Sequence, residues 1–151
     1  IVAALAHVAS GLRLARLNKR ARPVGYRKQT SMHTNIFART MAVSGLILLA
    51  FIVYHLLHFT VGTVHPEFKE GDVYHNVVVS FLRPEVAAFY VLANLALGVH
   101  LFHGAWSLFQ SLGINSPQYN GARRVFAILF TIAVIGPNIS FPIAVQLGIV
   151  G

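Results

Sequence analysis

From Met41 to Gly62 the chain reads MAVSGLILLAFIVYHLLHFTVG, without one Asp, Glu, Lys or Arg. A helix needs roughly 20 apolar residues to cross the hydrocarbon core of a bilayer. In that medium a helix also satisfies its own backbone N–H and C=O groups, which an irregular segment cannot do. Similar apolar runs recur, so the spans are expected at about 1–17, 39–63, 84–112 and 123–148. The expectation is an all-α integral membrane helix bundle, with four transmembrane helices in a single domain over residues 1–151. Only 11% of the residues are charged, whereas a soluble domain carries about a quarter.

The charges are segregated, and that sets direction. Arg13, Arg16, Lys19, Arg20, Arg22, Arg27, Lys28 and Arg39 are eight of the twelve basic residues, and no acid lies among them. The connector Pro23–Thr40 is therefore read as cytoplasmic by the positive-inside rule. Three of the four acids, Glu67, Glu70 and Asp72, fall in the next connector, which is read as external. His65 and His75 lie there and are expected to be solvated, and VYHNVVVSFL is read as a short interfacial helix. Pro84 suits the first turn of the third span, and Trp106 falls toward its inner end. Arg123 and Arg124 place the start of the fourth span inside, and Pro137 and Pro142 are expected to kink or break it. Clustered between apolar runs, the basic residues argue against a nucleic-acid partner. The stretch IVAALAHVASGLRLARL reads as the second half of a helix already under way, so an N-terminal portion is expected upstream.

There is no cysteine, which excludes disulfides, thiolate zinc sites and iron–sulfur ligation by this chain. Histidine is the main ligand left, and the chain has eight. An imidazole inside a span is costly unless it faces protein, water or a metal. At a helical rise of 1.5 Å, His7 lies roughly 13 Å from Arg16 and His103 roughly 13 Å from Leu112, the same depth in the inner half. His55 lies about 24 Å from Arg39, in the outer half, and His100 about 4.5 Å deeper than His103. A bis-histidine haem needs two imidazoles from separate helices at one level, and His7 with His103 meets that by depth. Gly104 and Ala105 would let a flat macrocycle approach, although small residues also serve helix packing. His58 and His100 are read as helix-bridging, or as contacts to a propionate or a quinone.

At these residues the chain resembles a known family. The motifs are His7-Val8-Ala9-Ser10-Gly11-Leu12-Arg13 with its basic exit, Tyr54-His55-Leu56 after MAVSGLILLAFIV, and Leu101-Phe102-His103-Gly104. In their order and loop lengths they resemble the membrane-anchor cytochrome b subunit of succinate dehydrogenase and fumarate reductase, in its single-polypeptide, five-helix, di-haem class. The resemblance implies His7 and His103 as axial ligands of the inner haem and His55 as one ligand of the outer haem. The outer partner would come from the first helix, which this sequence lacks. It also implies haem b as cofactor, membrane quinone, commonly menaquinone, as redox partner, and assembly with an iron–sulfur subunit and a flavoprotein subunit in a bacterial cytoplasmic membrane. Catalysis would belong to the complex, with electrons relayed from succinate through iron–sulfur clusters and haems to quinone, or the reverse. Arg13 and Arg16 are candidate propionate partners, with cytoplasmic anchoring as their alternative role. Two other readings stand beside this one: a haem-free quinone-binding anchor, and a small transporter or channel subunit with histidines along its path.

Overall fold

The computed structural model describes residues 2–21, 32–114 and 116–151, with the backbone alone over 32–39. Five α-helices follow in order: α1 (Val2–Arg20), α2 (Met32–His55), α3 (Val73–Phe81), α4 (Pro84–Ser111) and α5 (Asn120–Gln146). A π-helical turn, Leu56–Thr60, continues α2, and a 3-10 turn, Pro117–Tyr119, leads into α5. No strand occurs among the described residues.

Among the described residues three helices are long and apolar enough to cross a membrane: Thr40–Thr60, Pro84–Ser111 and Pro117–Gln146. Their exteriors are apolar, as at Leu46, Leu92 and Leu129, each more than 60% exposed. The stretch expected as the first span forms α1, which also carries Arg13, Arg16, Lys19 and Arg20 and buries no residue. Half of the basic connector, residues 23–31, lies outside the described residues. Its last part does not remain a connector, because α2 begins at Met32 rather than near Arg39. No Pro or Gly interrupts Met32–Arg39, so nothing in the sequence stops the helix from extending beyond its apolar stretch.

Helix α4 is central, packing against α2, α3 and α5. Small residues let it approach α5. A Cβ added at Gly98 would stand 3.0 Å from Ile135 Cδ1, and Ala127 on α5 is fully buried. Of the kink or break expected at Pro137 and Pro142, the break does not occur: α5 runs unbroken through both. Each proline removes one backbone donor. Asn138 Nδ2 donates to Val134 O at 2.8 Å and Ser140 Oγ to Pro137 O at 2.7 Å, so side chains supply donors in this region. Pro142 is fully buried, so packing holds the helix where propensity would not.

The two ends of the bundle are closed differently. At one end Arg123 does not reach outward; it is 4% exposed. Its Nη1 donates to Ile114 O at 2.9 Å, its guanidinium also bonds Asn120 Oδ1, and it lies 5.0 Å from the centre of the Trp106 ring. This closes the α4–α5 hairpin with a cation–π contact and neutral oxygens. At the other end the segment 61–83 folds over the bundle as a cap. Val78, Phe81, Ala87, Tyr90 and Val145 form the core there, with Phe51, Tyr54 and Phe59 packed against it. Gln146 Nε2 donates to Phe81 O at 2.6 Å and ties the end of α5 to α3.

The cap turns at Gly62, whose φ is +80°. A side chain there would be strained by the left-handed backbone and would collide with the Phe68 ring. Gly62→Ala is expected to cost about 1–3 kcal/mol, read as a lowered melting temperature of the detergent-solubilised protein. An unchanged melting temperature would show that the turn tolerates a Cβ.

Candidate functional site

Two groups of histidines are assembled, one at the capped end and one further along α4. The capped-end group begins where α2 widens. The backbone N–H of Val61 donates to Leu56 O at 2.9 Å, five residues back, which defines the π turn. In an α-helix, residues three apart share a face. The wider turn separates His55 from His58. His55 is exposed and His58 only 3% exposed.

His58 bridges helices. Its Nδ1 shares a hydrogen bond of 2.8 Å with the Tyr90 hydroxyl of α4, and its Nε2 one of 3.4 Å with Ser80 Oγ of α3. Its ring stacks between Tyr54 and His65, with centroids at 5.2 Å and 5.0 Å. With both ring nitrogens engaged, its chemistry is that of a structural bridge.

His65 differs from expectation. It is not a solvated loop residue but 5% exposed. The backbone N–H of Glu67 donates to its Nδ1 at 3.2 Å, so the proton sits on Nε2, which donates to Asn76 O at 3.0 Å. The cap around it is similarly knitted. Lys69 N–H donates to Asn76 Oδ1, and Asn76 Nδ2 returns a bond to Lys69 O, both at 2.8 Å. Asp72 caps α3 by accepting from His75 N at 3.0 Å. His75 is half-buried and its ring bonds Glu67 O at 3.2 Å. Turn chemistry around Gly62 and Gly71 signals a folded cap, but burial of His65 depends on the cap closing over His58.

His55 opens on a cleft of about 450 Å³, within the size range of ligand pockets. Phe51, Phe59, Phe81, Leu97 and Phe141 give it apolar walls, and Asn76, Tyr90, Asn94 and Asn138 add polar groups. The His55 ring lies near Phe51, Phe59 and Tyr90, with centroids 5.7–6.0 Å away. No hydrogen bond to His55 occurs among the described residues, so its nitrogens remain open to a ligand.

The second group joins α1, α2 and α4. His7 is exposed and meets the ring of His100, with centroids 6.0 Å apart and planes 80° to each other. Ser44 Oγ donates its single proton to Met41 O at 3.2 Å, so His100 Nδ1–H donates to Ser44 Oγ at 3.1 Å. That places the lone pair of His100 on Nε2. Gly45 permits the approach, since a Cβ there would stand 3.4 Å from His100 Cε1. Ser44 was not among the sequence candidates; its signal is a hydroxyl inside an apolar run. His103 is 8% exposed, with its ring beside Phe102. The structure thus brings His7 to His100, and His103 lies about 4.5 Å along the helix axis from it. Arg13 and Arg16 are exposed on α1.

Metal–imidazole bonds run about 2.0 Å, so two imidazoles sharing one metal stand with centroids roughly 6 Å apart. The His7 and His100 rings, 6.0 Å apart by centroids, meet edge to face at ordinary aromatic spacing, and a hydrogen bond like that between His100 Nδ1 and Ser44 is the kind that orients a ligand histidine. No group of three or more His, Cys, Asp or Glu forms a bare-metal site among the described residues. A haem needs only two axial residues. Comparison with family models, with curated proteins and with solved structures found no match.

The cap gives a direct test. Replacing His65 with Leu leaves Glu67 N–H and Asn76 O without their partner, at a cost of about 1–2 kcal/mol. Amide hydrogen exchange at Glu67 and Lys69 is expected to speed up by roughly tenfold. Unchanged exchange would show that His65 does not hold the cap.

Proposed function

We propose that the chain is a haem b-bearing membrane anchor of a succinate:quinone oxidoreductase, passing electrons between an iron–sulfur subunit and membrane quinone. The observation that carries this reading is the contact between His7 and His100, two imidazoles brought together from separate helices. The sequence motifs around His7, His55 and His103 support the same family assignment, as does an apolar exterior suited to an integral membrane protein.

Bound haem supplies a reversible one-electron carrier. The chain's own residues provide the setting. His7 and a histidine of α4 would hold the inner haem. His103 is the partner by depth, and His100 is the partner by ring geometry and by the lone pair that Ser44 leaves on Nε2. His55 would hold the outer haem from the wall of the capped-end cleft. The apolar walls of that cleft keep water away and lower the local dielectric. Arg13 and Arg16 offer positive charge to propionates near the inner level. The basic connector faces the iron–sulfur subunit, with the flavoprotein subunit beyond it, on the cytoplasmic side of a bacterial membrane.

The cleft also favours a second reading, a haem-free anchor in which Tyr90, Asn94 and Asn138 contact a menaquinone ring directly. A reduced-minus-oxidised spectrum of the purified complex decides between them. The proposal expects b-type α-bands, and their absence would leave the haem-free anchor.

The ligand set is tested residue by residue. His7→Ala and His100→Ala are each expected to abolish the same haem signal while the other remains. Loss in His103→Ala with retention in His100→Ala would assign the iron to His103 by depth instead. A His7→Ala protein that kept its full haem content would overturn the inner pair.

A further inference from the structure

The π turn raises a question of purpose, because it parts two histidines that an uninterrupted α-helix would hold on one face. π-Bulges occur often at functional sites. Here the turn buries His58 and leaves His55 on the cleft. Two residues, Phe59 and Tyr90, touch both. Tyr90 presents its ring to His55, with centroids 6.0 Å apart at 59°, and its hydroxyl to His58 Nδ1 at 2.8 Å.

His55 and His100 are oriented by different means. His100 is fixed by a hydrogen bond to Ser44, itself anchored on Met41 O. His55 has no such bond among the described residues and rests on Phe51, Phe59 and Tyr90. Ring packing alone restrains an imidazole only as well as its neighbours are themselves restrained. Tyr90 is restrained, being 4% exposed and hydrogen-bonded to a histidine that is itself stacked between Tyr54 and His65. Phe59 is held by the same group, 4.4 Å from His58 and 5.5 Å from Tyr90 by ring centroids.

We infer that Tyr90 and His58 are positioning residues for His55, setting the orientation of its imidazole through the Tyr90 ring and the π turn. Neither touches the iron. The hydroxyl–imidazole bond locks the Tyr90 ring, the Tyr90 and Phe59 rings restrict rotation of the His55 ring, and the buried His58 anchors the turn that follows His55. The cap takes part, because His65 covers the far face of His58. This inference rests on the reading that His55 holds the outer haem.

The test uses the purified complex and two signatures of the haem that His55→Ala removes: its midpoint potential and the g-anisotropy of its oxidised EPR signal. Both respond to ligand-plane orientation. Tyr90→Phe keeps the ring and deletes only the hydroxyl. It is expected to retain both haems, shift both signatures of the His55 haem and leave those of the His7 haem unchanged. His58→Phe keeps a stacking ring but no hydrogen bond and should shift them the same way. His58→Gln, which can still bond the tyrosine hydroxyl, should restore much of the wild-type signature. The His7 haem reports in every variant that the chain has folded, and if His58→Phe fails to assemble, Tyr90→Phe carries the test alone. Unchanged potential and EPR signal of the His55 haem in Tyr90→Phe would overturn the inference while leaving the haem reading intact. A wild-type complex without b-type haem, or a His55→Ala complex that keeps all of it, would overturn the reading beneath it.

Discussion

Several polar side chains on these helices are buried, and a buried polar group is costly unless it is hydrogen-bonded. The rest of the structure follows from that constraint. Ser44, His58, Asn76, Ser80, Asn94 and Arg123 are all buried, and each makes a specific bond. Most of these bonds join one element to another, and they add direction to packing that apolar contacts alone would leave slippery. The contact between α4 and α5 relies instead on small residues, with Gly98 against Ile135 and Ala127 at the seam.

The same constraint sorts the histidines by role. His58 and His65 have both ring nitrogens engaged within the protein, and they hold the cap. His100 has one nitrogen committed to Ser44 and the other left with its lone pair. His55 has neither committed among the described residues and faces a cleft. An imidazole with both nitrogens satisfied is a structural bridge, whereas one with a free and oriented lone pair is prepared for a metal. The residues that line the proposed haem positions and the residues that stabilise the bundle are therefore neighbours in sequence, as His55 and His58 are, yet chemically distinct.

Much of the architecture was legible beforehand because it follows from local composition. The apolar runs at 39–63, 84–112 and 123–148 became helices long enough to cross a membrane, and VYHNVVVSFL contained a short helix. Errors arose where tertiary contacts overrode local preference. Pro137 and Pro142 did not divide α5, because packing around the buried Pro142 and side-chain donors near the missing amides hold one helix together. His65 sits in an acidic loop and reads as solvated, but the turn at Gly62 carries it under the cap. The start of α2 lies outside its apolar stretch, where hydropathy gives no signal. Axial depth put His7 level with His103, and the structure adds an edge-to-face contact between the His7 and His100 rings.

By itself the sequence determined the helical class, the segregation of charge and the exclusion of thiolate chemistry, and it supplied the eight histidines. Those properties depend on residue type and spacing along one chain. Only the tertiary structure decided which nitrogens are spent and which are free. That choice depends on partners distant in sequence: Tyr90 for His58, Asn76 for His65 and Ser44 for His100. It also depends on the π turn, which changes the facing of two histidines without changing the spacing between them. Periodicity assumes a regular helix, so a single widened turn is invisible to it, and here that turn lies between the exposed His55 and the buried His58.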